Sequence, residues 1–320
     1  MQIIKVPGIN GLGKTIGCEK APNAILNSLK EIQTNEQGKE IEFQKLDLEE
    51  IHLDNSNLEL TNKLIYKNSY EIFEEHEKAI FLGGDHSISY SIAKAFLDYA
   101  KKEGKEPCII IFNAHADCMK SSKQPTNEDW LRKLIEKGFP SQNILLVGAR
   151  NIERSEMKFL KEKKIQQISV NSIIEDIDNI ADTIMEFCHA KNFSEKNFGA
   201  TKSGNCRGEG FVGEPLNLKS SRAKDFVGEP LNPKSCRGED FVGEKETFIS
   251  IDISVIDPAF APGVRYNEPG GLTSRQFIYL IQRINKIKSL RGVGIVEINP
   301  TKDKDNLTVK LGAKILSELI

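Results

Sequence analysis

The feature that most constrains the fold is an alternation of short apolar runs with amphipathic stretches at helical spacing. The apolar runs are QIIKV (2–6), IEFQKL (41–46), AIFLGG (79–84), CIIIFN (108–113), NILLVGA (143–149), IQQISV (165–170), TFISIDI (247–253) and GVGIVEI (292–298). Several are apolar throughout, as strands covered on both faces tend to be. Helical periodicity occupies residues 21–32, 60–78, 88–102, 127–138, 170–190 and 274–290. Pro22 stands in the first turn of the first of these, and Gly138 ends the fourth. Alternation of this kind predicts an α/β fold with a mostly parallel central sheet flanked by helices. Such sheets place their sites beyond the carboxyl ends of the strands.

Three of the predicted strands run straight into polar clusters: FLGGDHSIS (81–89), FNAHADCM (112–119) and SIDISVIDPAFAPG (250–263). Residues i, i+2 and i+4 share one face of a strand. Asn113, His115 and Asp117 can therefore converge, and so can Asp252 and Ser254. Imidazole and carboxylate ligands on a rigid strand end suit Mn²⁺, Zn²⁺ or Fe²⁺. A single His after a strand is more often a hydrogen-bonded core residue than a ligand. Three clusters that together hold two of the five His favour a site. Asp85 and Asp257 also admit a plain reading as helix N-caps.

Composition narrows the function classes. The 320 residues carry 44 basic and 46 acidic side chains, a net charge of −2. That balance gives no basis for a nucleic-acid or anionic-membrane partner. No apolar run approaches the roughly 18 residues a transmembrane helix needs. MQIIKVPGING lacks an apolar leader core, so a cytoplasmic location is expected. The six cysteines form no CxxC pair and predict reduced thiols. The chain reads as one domain, 1–320, interrupted by an insert at about 200–246. Within it a fifteen-residue repeat runs CRGEGFVGEPLNLKS, SRAKDFVGEPLNPKS, CRGEDFVGEKE over 206–246. Two and a half copies are too few for a free-standing solenoid, which needs about three. Rich in Gly, Pro, Lys and Glu, the segment is expected to be a weakly ordered excursion.

GGDHS, then NAHAD, then SIDISVIDPAFAPG, in this order, resemble the signature of the ureohydrolase superfamily of arginases, agmatinases and formimidoylglutamases. GCEKAPNAI (17–25), NILLVGARN (143–151), GGLTSRQ (270–276) and VEINP (296–300) agree, and the resemblance covers nearly the whole chain outside the repeat. It implies a three-layer α/β/α fold with two manganese ions. It also implies hydrolysis of a guanidino or amidino C–N bond by metal-activated water, and a homo-oligomer, commonly a trimer or hexamer. By position, His86 and Asp117 would hold one ion, His115 the other, Asp252 would bridge, and Glu297 would meet the substrate cation. Lysine-type deacetylases share the α/β/α architecture, but GGLT and VEINP argue against them. Family specificity would lie in loops such as 118–127 and 261–270, where no carboxylate-binding residue is legible.

Three positions depart from the family pattern. Asn113 stands where a bridging Asp belongs, and Ser254 where another Asp holds the second ion. Asn127 stands where an active-site His is common, although it could serve merely as an N-cap for NEDWLRKL. Ligand charge falls from −4 to −2, and hard divalent ions favour carboxylate oxygen. The expectation is one manganese ion on His86, Asp117 and Asp252, with the second ion's ligand set deficient. Two functions follow: a hydrolase with an impaired binuclear centre, acting on arginine, agmatine or a similar compound, or a non-catalytic scaffold or ligand sensor.

Overall fold

The structure is a computed structural model and describes residues 1–189 and 244–320. Residues 206–243 of the repeat, with Cys206 and Cys236, lie outside the described residues, and its last two, Lys245 and Glu246, open the strand Lys245–Asp252. The strands are β1 (Gln2–Val6), β2 (Leu48–Glu50), β3 (Ala79–Gly83), β4 (Glu106–Phe112), β5 (Ile144–Val147), β6 (Gln166–Ile168), β7 (Lys245–Asp252) and β8 (Leu290–Val296). They form one sheet in the order β2-β1-β3-β8-β7-β4-β5-β6. Every neighbouring pair is parallel, so the sheet is wholly rather than mostly parallel.

Helices cover both faces, giving the three-layer α/β/α arrangement. In chain order they are α1 (Ala21–Leu29), α2 (Leu58–Glu75), α3 (Ile88–Lys102), α4 (Trp130–Glu136), α5 (Arg154–Lys163), α6 (Val170–Glu175), α7 (Ile177–His189), α8 (Ser274–Ile284) and α9 (Leu307–Leu319). α2, α3 and α4 pack together, as do α1, α9, α8 and α7. One face of the sheet puts Ile4, Phe81, Ile109, Ile111, Leu146 and Phe248 into a core with Phe73, Phe96 and Trp130 from α2, α3 and α4. Phe73 lies 5.6 Å from both Phe81 and Phe96 and meets Phe248 edge-on at 6.4 Å.

Several expectations are corrected. Residues 41–46 are not a strand: Phe43–Lys45 form a 3-10 turn, and β2 follows at Leu48–Glu50 with all three side chains exposed. The segment 170–190 breaks at Asp176, whose φ of −154° and ψ of 82° are not helical. α5 and α9 were not anticipated. The helix expected from residue 127 starts at Trp130 with Asp129 at its N-cap position. Asp129 instead accepts the Ser122 and Thr126 amides. No helix among the described residues is long and apolar enough to cross a membrane.

Candidate metal centre

The four central strands, β3, β8, β7 and β4, deliver the candidate residues at their carboxyl ends. His86 follows β3, Asn113–Asp117 follow β4, Asp252 ends β7 and Glu297 follows β8. At the turn out of β3, the chain passes so close to Gly8 that a Cβ on Gly84 would lie 2.1 Å from the Gly8 carbonyl oxygen. Only glycine fits there. Asp85 is fully buried, and its carboxylate accepts the Asn10 amide at 2.7 Å and the Thr15 hydroxyl at 2.6 Å. It also accepts the Ser87 amide at 3.0 Å. Asp85 therefore fastens the 10–15 loop beside the site and is not a helix cap. Asp257 accepts from Ala259, Gly270 and Gly271 amides and shapes the returning loop.

His86 Nε2 lies 2.9 Å from the Ser250 hydroxyl, which aims Nδ1 at two carboxylates. Nδ1 is 2.7 Å from Asp117 Oδ2 and 3.4 Å from Asp252 Oδ2. Burial opposes charge on His86, but the two carboxylates outweigh it and lift its pKa to about 10. Burial likewise works against the Asp252 charge, and His86 prevails in holding its pKa below the usual carboxylate range. Asp117 Oδ2 also accepts the Trp130 indole N–H at 2.9 Å, and the indole lies 4.7 Å from the His86 ring. Asp117 and Glu297 have φ of +50° and +66°. Side chains rarely adopt this conformation unless their surroundings fix it. Glu297 Oε1 accepts the His86 amide at 2.8 Å, and burial followed by the Asp252 and Asp85 charges holds its carboxyl well above the usual range.

Above these residues lies a cavity of about 320 Å³, a size suited to a small ligand. Asp117, Asp252, Glu297 and Glu268 contribute carboxylates to its wall, and His115, Asn127 and Ser254 also line it. His115 Nε2 is 3.3 Å from Glu268 Oε1. Trp130 and Glu268 carry no motif signal; Ser250 and Arg150, which donates to the Ser254 and Glu268 carbonyls, lie inside SIDISVIDPAFAPG and NILLVGARN, where the sequence gives them no role.

The sequence model of the Arginase family matches residues 1–193 and 223–320. The chain belongs to the arginase family. It is 27% identical to the mitochondrial arginase 1 of Arabidopsis thaliana over 250 residues, which is 77% of this chain and 55% of that protein. The chain thus spans about half the length of that relative. Formimidoylglutamase of Bacillus subtilis is 26% identical over 307 residues, 94% of this chain and 80% of the relative. Among solved structures, proclavaminate amidino hydrolase from Streptomyces clavuligerus superposes with a TM-score of 0.73 at 19% identity, covering 99% of this chain and 89% of that one. That likeness establishes the fold.

The family is typically binuclear, so the donor set of this arginase-family chain can be tested against two ions. Among the described residues, His86, Asp117 and Asp252 are the one cluster of three His, Cys, Asp or Glu ligands, with ligand atoms within 4.8 Å of one another. They fit one divalent ion. The remaining positions do not fit a second. Asn113 Oδ1 accepts the His115 amide at 2.9 Å and the Ser254 hydroxyl at 3.2 Å. Asn113 Nδ2, a donor, points into the first cluster and reaches Asp117 Oδ2 at 2.7 Å. His115 faces Glu268 rather than the other ligands. The neutral oxygens that would replace carboxylates are already engaged.

Proposed function

We propose that this chain is a metal-dependent hydrolase of a guanidino or amidino C–N bond in a small substrate, built on one divalent ion, manganese by family. The observation that carries this reading is the convergence of His86, Asp117 and Asp252, of which Asp117 and Asp252 line a carboxylate-rich cavity. When bound, the ion would lower the pKa of a water and orient it for attack on the amidinium carbon.

The chain's own residues divide the remaining work. Glu297, held protonatable by burial, gains most from an arriving cation and is assigned to the amidinium. Ser250 and Trp130 hold His86 and Asp117 in place. Asn127 lines the cavity with an amide that can hydrogen-bond but moves no proton. His115, relieved of a second ion and steadied by Glu268, is the imidazole on the cavity wall assigned to proton transfer. A homo-oligomer, trimer or hexamer, is part of this proposal.

One observation favours the non-catalytic reading: the Asn113 amide closes the cluster internally by donating to Asp117. Product release from arginase-family substrates decides between the two. Manganese-loaded protein should release urea from at least one of arginine, agmatine and 4-guanidinobutyrate, or formamide from N-formimino-glutamate. Complete inactivity, persisting in Asn113→Asp combined with Ser254→Asp, would favour a scaffold or ligand sensor.

A further inference from the structure

We propose that Arg265 selects a substrate bearing a carboxylate at the end remote from its amidino group; this deepens, and rests on, the amidino-hydrolase reading. Arg265 lines the same cavity as Asp117, Asp252 and Glu297. Its Nε is buried and has no hydrogen-bond partner. Among the described residues Arg265 makes no ion pair; its guanidinium lies over the Tyr266 ring at 5.1 Å. That ring meets the His115 ring edge-on at 5.7 Å. Arg265 and His115 thus share contact with the one Tyr266 ring. Lys14, the other cation of the cavity wall, is already paired with Glu128 at 3.2 Å, and Glu128 also accepts the Tyr266 hydroxyl.

The loop that carries Arg265 is tied at both ends. The Gly263 amide donates to the Thr308 hydroxyl at 2.7 Å, and its carbonyl accepts the Asn299 amide at 2.7 Å. Arg150 donates to the Glu268 and Pro269 carbonyls. A guanidinium carried on a tied loop, with an unused buried donor, is costly until an acceptor arrives. Carboxylate matches its planar fork in two parallel hydrogen bonds. The cavity thus offers carboxylates, Asp117, Asp252 and Glu297 among them, and at Arg265 a cation with no ion pair among the described residues. A substrate cationic at one end and anionic at the other satisfies both. A diamine-like guanidine sets like charge against Arg265.

Calorimetric titration of the full chain, metal-free and manganese-loaded, with 4-guanidinobutyrate, agmatine and hexanoate tests this. The wild type should bind 4-guanidinobutyrate at least about tenfold more tightly than agmatine. Arg265→Met should weaken 4-guanidinobutyrate about tenfold to a hundredfold without weakening agmatine, and Arg265→Lys should restore part of the loss. In wild type, 4-guanidinobutyrate but not agmatine should protect Arg265 from phenylglyoxal, read by mass spectrometry, which does not depend on either variant folding. Equal affinity for the two guanidines, or a preference unchanged in Arg265→Met, would overturn the role of Arg265 and leave the hydrolase reading standing. Hexanoate bound through Arg265 with no guanidine bound would sink the hydrolase reading and keep the carboxylate site. Binding of none of the three would overturn both.

Discussion

Asn113 governs the electrostatics of the centre. Its oxygen is spent on His115 and Ser254, and its Nδ2 donates to Asp117 Oδ2 beside His86. Combining Asn113→Asp with Ser254→Asp restores two carboxylates, and activity should rise at least about tenfold. His115→Gln should lower turnover about a hundredfold or more, as removal of a proton-transfer group does, while leaving metal content unchanged; a matched loss of metal would make His115 a ligand instead. Trp130→Phe removes one donor to buried Asp117 and should cost about 1–3 kcal/mol in unfolding free energy, measured in denaturant. At this scale the sequence was informative where chemistry is local. His86, Asp117 and Asp252 were legible because each directly follows an apolar run. The roles of Trp130, Ser250 and Arg265 were not, because they arise from contacts between elements, as where Ser250 in β7 meets His86 after β3.

At the scale of the element, the continuous apolar runs of β3, β4, β7 and β8 announced central strands, since both faces are covered. β2 was illegible for the opposite reason: an edge strand of three exposed residues buries nothing that would impose a pattern. α6 and α7 read as one helix because their apolar spacing continues across the break at Asp176. α8 shows a capping box in which Thr273 and Gln276 satisfy each other's backbone amides. Thr273→Ala should therefore cost about 1 kcal/mol, seen as a lowered urea midpoint at unchanged slope. That helix follows the loop from Gly263 to Gly271, so a looser start to α8 should also weaken 4-guanidinobutyrate more than agmatine.

For the whole molecule, one half-buried lysine links separate parts of the fold. Lys78, just before β3, donates to Asn285 Oδ1 at 2.6 Å and to the Leu319 carbonyl at 2.7 Å. Burial, then the Lys39 charge, lowers its pKa to about 8. The unfolded chain, with an ordinary lysine pKa near 10.4, thus binds more protons between about pH 8 and 10.4, and stability from this group rises with pH across that window. Lys78→Met should flatten that rise, measured by chemical denaturation from pH 7 to 10.5. The fold, the central strands and the ends that bear the ligands belong together as an arginase-family scaffold. On the reading proposed above, this chain is distinguished by a centre with ligands for one ion and by Arg265, unpaired on the cavity wall among the described residues. Metal content per chain after manganese loading and removal of excess tests that account most directly. It predicts about one ion in the wild type, none in Asp117→Ala, and about two in the Asn113→Asp, Ser254→Asp double variant; two tightly held ions in the wild type would contradict it.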